Sequence, residues 1–243
     1  MNADELRFVE HNEENHFYFR TKRKILQYMY DKHIAGEIDG PQILDLSCST
    51  ATDMKLFDNV TGMDIDFQSL VIAKRINMPL VNGDANRLPF RDNSFDIILA
   101  VDLISVEGID EKSVLSEIER VLRPGGYLYI NVPAMKKLYS RHDRTVGNRK
   151  RYDRKEIKSL FASKKWNMIE CSYWSFFVLP LVFIRRKLIS PVIGRDYRSD
   201  LVEIPFVLNT VLKAVYSAEL NLFKISLLPA GISLFALLKY NEE

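Results

Sequence analysis

Residues 43–53 read ILDLSCSTATD, in which a short apolar run contains an acid and is followed by small polar residues. The run ILDL is typical of a buried strand in a parallel sheet, and the residues after it fall where a nucleotide-binding turn carries glycines. However, no glycine occurs between Gly40 and Gly62. The stretch therefore predicts a first strand followed by a ligand-binding loop made of serine, threonine and alanine.

From this strand onward, short apolar runs alternate with helical patterns, which is typical of repeated βαβ units and a parallel sheet. The clearest helical pattern covers 110–122, where Asp110 precedes an apolar stripe that Pro124-Gly125-Gly126 ends. The predicted strands are 42–46, 60–64, 79–82, 95–101, 127–132, 166–177 and 231–240.

Composition favours a globular α/β protein, since the 243 residues are 47% hydrophobic and 27% charged. The formal net charge of +2 gives no reason to expect a nucleic-acid partner. Cys48 and Cys171 stand far apart without metal-ligand spacing, which predicts a reduced, cytoplasmic protein without a metal site. The acidic N-terminus lacks the pattern of a secretory signal, and the uncharged stretches 171–184 and 225–238 are too short for a spanning helix.

Three aspartates fall at or near the carboxyl ends of successive predicted strands: Asp45, Asp64 and Asp84. In an open parallel sheet these ends line one crevice where strand order reverses. An acid after the second strand can accept both hydroxyls of a ribose, and an acid after the third can accept from the exocyclic amine of adenine. The alternative is that each aspartate is a helix cap or turn residue.

A nicotinamide cofactor or a nucleotide phosphate fits this crevice poorly. The first needs G-x-G-x-x-G after the first strand, and the second needs a glycine-rich loop with its lysine. The chain has neither motif, so the sequence favours a ligand without phosphates.

Together these residues resemble the class I S-adenosylmethionine-dependent methyltransferases, in particular a bacterial and archaeal type 11-like subgroup. The most specific similarities are LPFRDNSFDIILAVDLI (88–104) and EIERVLRPGGYLYINVPA (117–134), with HFYFR (16–20) and SRHDRTVGNRKRYDR (140–154) as further ones. The resemblance implies a Rossmann-like, doubly wound, seven-stranded sheet, mostly parallel with the last strand antiparallel, plus a helical N-terminal arm and a C-terminal cap insertion.

The predicted organisation is a single domain, 1–243. It consists of the arm (1–40), the cofactor-binding core (41–134), a substrate-side loop, strand and cap helices (135–230), and the last strand and tail (231–243).

The resemblance also implies S-adenosylmethionine as cofactor and S-adenosylhomocysteine as product. The residues it assigns to cofactor binding are Asp45, Ser47, Ser49, Ala51, Asp64, Ile65, Asp84, Ala85 and Val101. Two departures from the family pattern matter. The three glycines of its first motif align with Ser47, Ser49 and Ala51, and its Glu-His pair after the fourth strand aligns with Ser105 and Val106.

Candidates for the acceptor side lie in the basic segment 135–158, which holds ten Lys or Arg against three acids, and in the aromatic arm. His142, Asp143 and Tyr152 are the catalytic candidates, and Tyr18, Arg20 and Arg151 are the substrate candidates. The alternatives are a solvated basic loop and an aromatic staple that holds the arm on the domain.

The sequence thus leaves two hypotheses. One is a methyltransferase acting on a small or lipid-like acceptor, and the other is a non-catalytic binding or scaffold protein that has lost cofactor affinity. Residues 175–184, SFFVLPLVFI, precede Arg185, Arg186 and Lys187. This order predicts either a core or cap helix, or peripheral contact with an anionic membrane.

Overall fold

The computed structural model describes residues 3–189 and 204–241. Within them the strands are β1 (Ile43–Leu46), β2 (Val60–Asp64), β3 (Leu80–Asn82), β4 (Phe95–Val101), β5 (Leu122–Pro133), β6 (Trp166–Trp174) and β7 (Ser233–Tyr240). The α-helices are α1 (Ala3–Asn12), α2 (Phe17–His33), α3 (Phe67–Ala73), α4 (Glu111–Val121), α5 (Arg141–Thr145), α6 (Arg154–Leu160), α7 (Leu179–Ile184) and α8 (Phe206–Ile225). Of the predicted substrate-side region, 190–203 lie outside the described residues.

The strands form one seven-stranded sheet in the order β3-β2-β1-β4-β5-β7-β6. β7 runs antiparallel to β5 and β6, and the remaining pairs are parallel. This confirms the predicted Rossmann-like sheet with an antiparallel last strand. The chain moves outward from β1 to β3 and then returns to place β4 on the other side of β1. The strand order therefore reverses between β1 and β4, where ligands bind in such sheets.

Both faces of the sheet are buried. Because successive side chains of a strand point to opposite sides, each strand contributes to two apolar clusters. Leu44, Ile98 and Leu128 face one side and pack in a cluster with α4. Ile43, Ile97, Tyr127 and their neighbours face the other side and pack in a cluster with α2 and α8. The N-terminal arm and the last described helix therefore cover the same face of the sheet.

The fifth strand begins earlier than the sequence predicts. The sequence predicts a helix to residue 122 and a strand from 127, whereas α4 ends at Val121 and β5 begins at Leu122. Leu122 pairs with Phe95, and the register with β4 shifts before the regular pairing starts at Tyr127. Pro-Gly-Gly thus forms an irregular start of β5 instead of a separate turn.

The close approach of backbone at this irregularity explains Gly126. A Cβ there would lie 2.8 Å from the carbonyl oxygens of Arg123 and Asp96. Gly83 is also tight, with a Cβ position 2.9 Å from Met63 Sδ, but that atom ends a flexible side chain.

We expect Gly126→Ala to lower the free energy of unfolding by about 1 to 3 kcal/mol, the usual cost of forcing a group into a packed interior. Gly83→Ala is the matched control and should cost less, because Met63 can turn away. Urea unfolding of both variants measures the difference, and an equal loss in the two would contradict the backbone explanation.

Candidate functional site

The loop after β1 adopts the backbone of a glycine-rich turn without any glycine. Ser47, Ser49 and Ala51 have φ values of 71°, 51° and 63°. This left-handed conformation costs roughly 1 to 2 kcal/mol for each residue with a side chain. The loop is held by amide hydrogen bonds from Ser47 and Cys48 to Met63 O, at 2.8 and 3.0 Å. The three residues aligned with the family's glycines therefore all keep the glycine-type conformation.

A glycine elsewhere makes room for this loop. A Cβ on Gly62 in β2 would lie 2.9 Å from Cys48 Sγ and 2.7 Å from Met54 Sδ. The side chains that follow β1 thus pack directly against the backbone of the neighbouring strand.

Asp64, at the end of β2, is fixed by the same loop. Its Oδ2 accepts a hydrogen bond from the Ser49 amide at 2.8 Å, and its Oδ1 accepts one from the Asp66 amide at 2.8 Å. Burial raises the pKa of Asp64, and these two donors oppose the rise. Ile65 follows with 71% of its surface exposed, an apolar side chain beside the acid that is free to contact a planar ligand.

Asp84, after β3, uses one oxygen within its own turn. Its Oδ1 accepts from the amide and the side-chain nitrogen of Asn86, at 2.9 and 2.8 Å. Asn86 in turn bonds the Gly108 carbonyl and the Asp110 amide, which joins this turn to the segment after β4. Asp84 is exposed and Ala85 is buried. The turn role foreseen as an alternative is therefore present, although it leaves the carboxylate open to solvent.

Lys22 is a site residue that the sequence analysis does not identify. Its Nζ lies 2.9 Å from Asp53 Oδ2, just after the first loop. Burial lowers the pKa of Lys22, but Asp53 and Asp102 together raise it above its ordinary value. Because Lys22 follows Tyr18 by four residues on α2, helical spacing places the two on one face and was the available signal. Arg20 lies on a different face and is exposed.

Tyr18 lies at the carboxyl edge of the sheet, where it stacks on Trp174 with ring centroids 4.9 Å apart. Trp174 Nε1 donates to Asn131 Oδ1 at 2.9 Å, and Asn131 Nδ2 donates to Asp102 Oδ1 at 2.7 Å. Asp102 directly follows the buried Val101 and has a φ of 57°. This chain of contacts connects α2 to the ends of β4, β5 and β6.

Asp45 is buried within this group of charges. Burial, followed by the nearby Asp53 and Asp64, raises the pKa of Asp45 from 3.8 to about 8, while Lys22 opposes the shift. Burial also raises the pKa of Asp102. Lys22 and Arg23 both pair with Asp53. The other three acids of this acidic cluster (Asp45, Asp53, Asp64 and Asp102) form no ion pair within the described part of the chain, which favours a ligand that carries positive charge.

Two acceptor-side candidates form a buried ion pair. Arg151 Nε lies 2.8 Å from Asp143 Oδ1, and Arg151 Nη1 also donates to the Ala134 carbonyl at 2.8 Å. Asp143 further accepts from the Ser140 amide at 2.9 Å, in a capping box at the start of α5. These contacts hold the basic segment against the sheet and favour a structural role for both side chains. His142 lies beside them on α5 and is partly buried.

Tyr152 and Ser105 form further hydrogen bonds that hold the basic segment 135–158 in place. The Tyr152 hydroxyl is 2.9 Å from both the Ile104 carbonyl and Glu111 Oε1. Ser105 Oγ donates to Asn148 Oδ1 at 2.7 Å, and Val106 forms a β-bridge with Asn148. The two residues that replace the family's Glu-His pair thus anchor the basic segment. Catalytic roles for His142, Asp143 and Tyr152 stay predictions.

The segment that carries the first loop and the acids at the strand ends is similar to a known family. Residues 44–130 match the family model of the methyltransferase domain. Over these residues the chain is similar to the methyltransferase domain family. The methyltransferase assignment rests on that match together with the fold.

Individual relatives match part of the chain. Demethylmenaquinone methyltransferase of Staphylococcus epidermidis is 34% identical over 134 residues, covering 46% of this chain and 55% of that protein. The Mycobacterium ulcerans phthiotriol/phenolphthiotriol dimycocerosates methyltransferase 1 is 34% identical over 102 residues, covering 38% and 37%. The matches thus span about half the length of these relatives, or less.

A putative sarcosine dimethylglycine methyltransferase from Galdieria sulphuraria superposes with a TM-score of 0.58 at 15% identity, covering 89% of this chain and 86% of that one. At this identity the likeness supports the fold alone.

The raised pKa of Asp45 makes stability depend on pH. The folded state keeps the proton up to about pH 8, whereas the unfolded chain releases it near 3.8. The stability contributed by protonated Asp45 is therefore complete below pH 4 and declines as pH rises toward 8. We expect Asp45→Asn to raise the free energy of unfolding at pH 8.5 by at least about 1.4 kcal/mol, the equivalent of one pKa unit.

Chemical unfolding at pH 4, 6 and 8.5 measures this gain, which should be smallest at pH 4. Asp58→Asn, at an exposed aspartate, is the control and should change little at each pH. A gain from Asp45→Asn that is the same at every pH would contradict the proposed burial of a neutral carboxyl group.

Proposed function

We propose that this chain binds S-adenosylmethionine and transfers its methyl group to a lipid-like or other small acceptor, with S-adenosylhomocysteine as the product. The observation that carries the proposal is the left-handed backbone at Ser47, Ser49 and Ala51, tied to Asp64 through the Ser49 amide. Hydrogen bonds to β2 hold three strained residues in the conformation that is used for close approach to a ligand, which supports a ligand site here.

The residues present fit the cofactor in their chemistry. Ser49 Oγ and Thr52 Oγ1 are buried and make no hydrogen bond within the described part of the chain, so each has bonding capacity left for a ligand. The acidic cluster suits a molecule with a sulfonium and an ammonium group. In this proposal Lys22 binds its carboxylate, Asp64 binds the ribose and Ile65 contacts the adenine.

The cofactor supplies an activated methyl group on a sulfonium whose departure leaves a neutral thioether. The protein then contributes alignment and exclusion of water, which together are worth roughly 7 to 11 kcal/mol of barrier in well-oriented reactions. Tyr18 and Trp174 form an aromatic wall beside Asp102, at the edge where an acceptor would enter. A general base is needed only if the acceptor must lose a proton.

The class of acceptor is supported by the relatives. Their names point to lipid and quinone-like substrates, and the proposal carries that class over to this chain. The alternative, a scaffold protein without cofactor affinity, is the outcome that the following titration would favour if no binding is seen.

Calorimetric titration with S-adenosylmethionine and S-adenosylhomocysteine tests cofactor binding. We expect both to bind and Asp64→Ala to weaken binding at least tenfold, since it removes a charged acceptor of two ribose hydroxyls and the partner of the Ser49 amide. Asp58→Ala is the matched control at an exposed aspartate of the preceding loop and should bind normally. No binding at millimolar ligand would overturn the proposed enzyme.

The variant Lys22→Met tests the role of the Lys22 cation independently of the acidic residues. We expect this variant to lose affinity for both ligands, because both carry the carboxylate that Lys22 is proposed to bind. Lys112→Met, at an exposed lysine of α4, controls for the loss of one positive charge. An unchanged affinity in Lys22→Met would refute the assignment of Lys22 to the carboxylate.

A further inference from the structure

A small cavity between α2 and α8 is lined by positive charge. It has a volume of about 160 Å³, and its charged lining residues are Arg20 and Lys24 from α2 and Lys213 from α8. None of these three side chains makes an ion pair or hydrogen bond with the part of the chain that the structure describes. The cavity is therefore a site of unbalanced positive charge.

The hydroxyl groups beside the cavity are already used. Thr21 Oγ1 donates to the Phe17 carbonyl at 2.8 Å, and Ser217 Oγ donates to the Lys213 carbonyl at 2.7 Å. Recognition of a ligand here thus rests on charge, which favours an anion over a neutral polar molecule.

The start of α8 is apolar and faces solvent. The exposed fractions are 83% for Phe206, 73% for Val207, 49% for Leu208 and 53% for Val211. Lys213 follows Phe206 by seven residues, which is two helical turns or roughly 10 Å along the axis. Amphipathic helices that lie at a membrane surface combine exposed apolar residues with Lys or Arg side chains.

The two features are held in one rigid arrangement. Asn209 Oδ1 accepts from the Phe17 amide at 3.1 Å, and Asn209 Nδ2 donates to the Asn15 carbonyl at 3.2 Å. The Phe17 and Tyr216 rings are also in contact, with centroids 5.0 Å apart. The start of α8 is therefore fixed against the start of α2, the helix that also carries Tyr18 and Lys22 into the candidate site.

We propose that the membrane-binding surface, defined as Arg20, Lys24 and Lys213 with the exposed residues Phe206, Val207, Leu208 and Val211, docks on an anionic phospholipid bilayer. The cations contact lipid phosphates, and the apolar residues enter the boundary of the acyl region. The proposed contact is peripheral. Among the described helices none is both long and apolar enough to cross a membrane. The choice of a lipid bilayer as the partner rests on the proposed function, since a bilayer would supply a lipid-like acceptor.

Flotation with vesicles of phosphatidylcholine, with and without phosphatidylglycerol, tests this surface on the full chain. We expect binding only with phosphatidylglycerol and loss of binding in high salt. Lys24→Gln/Lys213→Gln should reduce partitioning by about fivefold for each cation removed. Lys155→Gln/Lys164→Gln, at two exposed lysines elsewhere, is the charge-matched control and should bind like the unaltered chain.

A second pair of variants tests the apolar part. Phe206→Ser/Val207→Ser should reduce vesicle binding. Ile225→Ser/Leu227→Ser is the control and should not, since Ile225 ends α8 and Leu227 follows it. All four residues are exposed, so thermal unfolding should be nearly unchanged and serves as the folding control.

Several outcomes would overturn the proposal: equal binding to neutral vesicles, equal loss in the test and control pairs, or binding of inorganic phosphate or nucleic acid without binding of vesicles. Failure here is distinct from failure of the proposed function, because calorimetric titration with S-adenosylmethionine needs no vesicle and reports the other site.

Discussion

The hydrogen bond from the Ser49 amide to the Asp64 carboxylate is the interaction on which the candidate site depends. At 2.8 Å it joins the loop after β1 to the end of β2, beside the β1–β4 boundary where strand order reverses. The amide points toward Asp64 in a loop whose residues 47, 49 and 51 have positive φ. The strained backbone and the position of the acid are therefore parts of one arrangement.

The second constraint is the position of α2. This helix covers one face of the sheet and reaches its carboxyl edge, so that one of its faces brings Tyr18 and Lys22 to the acids. Its other side, with Lys24, contributes to the basic cavity shared with α8. A single helix thus links the proposed cofactor site to the proposed membrane-binding surface, which would place an acceptor drawn from the membrane near the aromatic wall.

The topology and the acids could be predicted from the sequence, because both follow from period and position along the chain. Apolar runs of strand length, separated by helical patterns, place Asp45 and Asp64 at one edge of the sheet. The resemblance then supplied the antiparallel last strand, which periodicity alone does not indicate. The predicted start of β5 lies five residues after the observed one. Pro-Gly-Gly usually ends an element, but here it lies within an irregular strand pairing.

Other features could not be read from residue type. Serine and alanine disfavour positive φ, so nothing in their chemistry predicts the backbone that Ser47 and Ala51 adopt. The hydrogen bonds from Ser47 and Cys48 to β2 hold the start of this loop in place. The pairing of Arg151 with Asp143 was equally hidden. A basic segment with ten cations is usually solvated, and only the fold shows which of them is buried.

The energetics of the acidic cluster bear on the choice between an enzyme and a scaffold. A buried Asp45 with a pKa near 8 stands beside Asp53 and Asp64 and opposes folding at neutral pH, since the folded state must take up a proton there or bear an uncompensated charge. Lys22 and Arg23 balance only part of the negative charge of these acids. A protein that served as a scaffold alone would gain stability from an amide or an apolar residue at position 45. The proposed cationic ligand would be the partner of the Asp45 carboxylate in the bound state, and its binding would offset the cost of burying that charge.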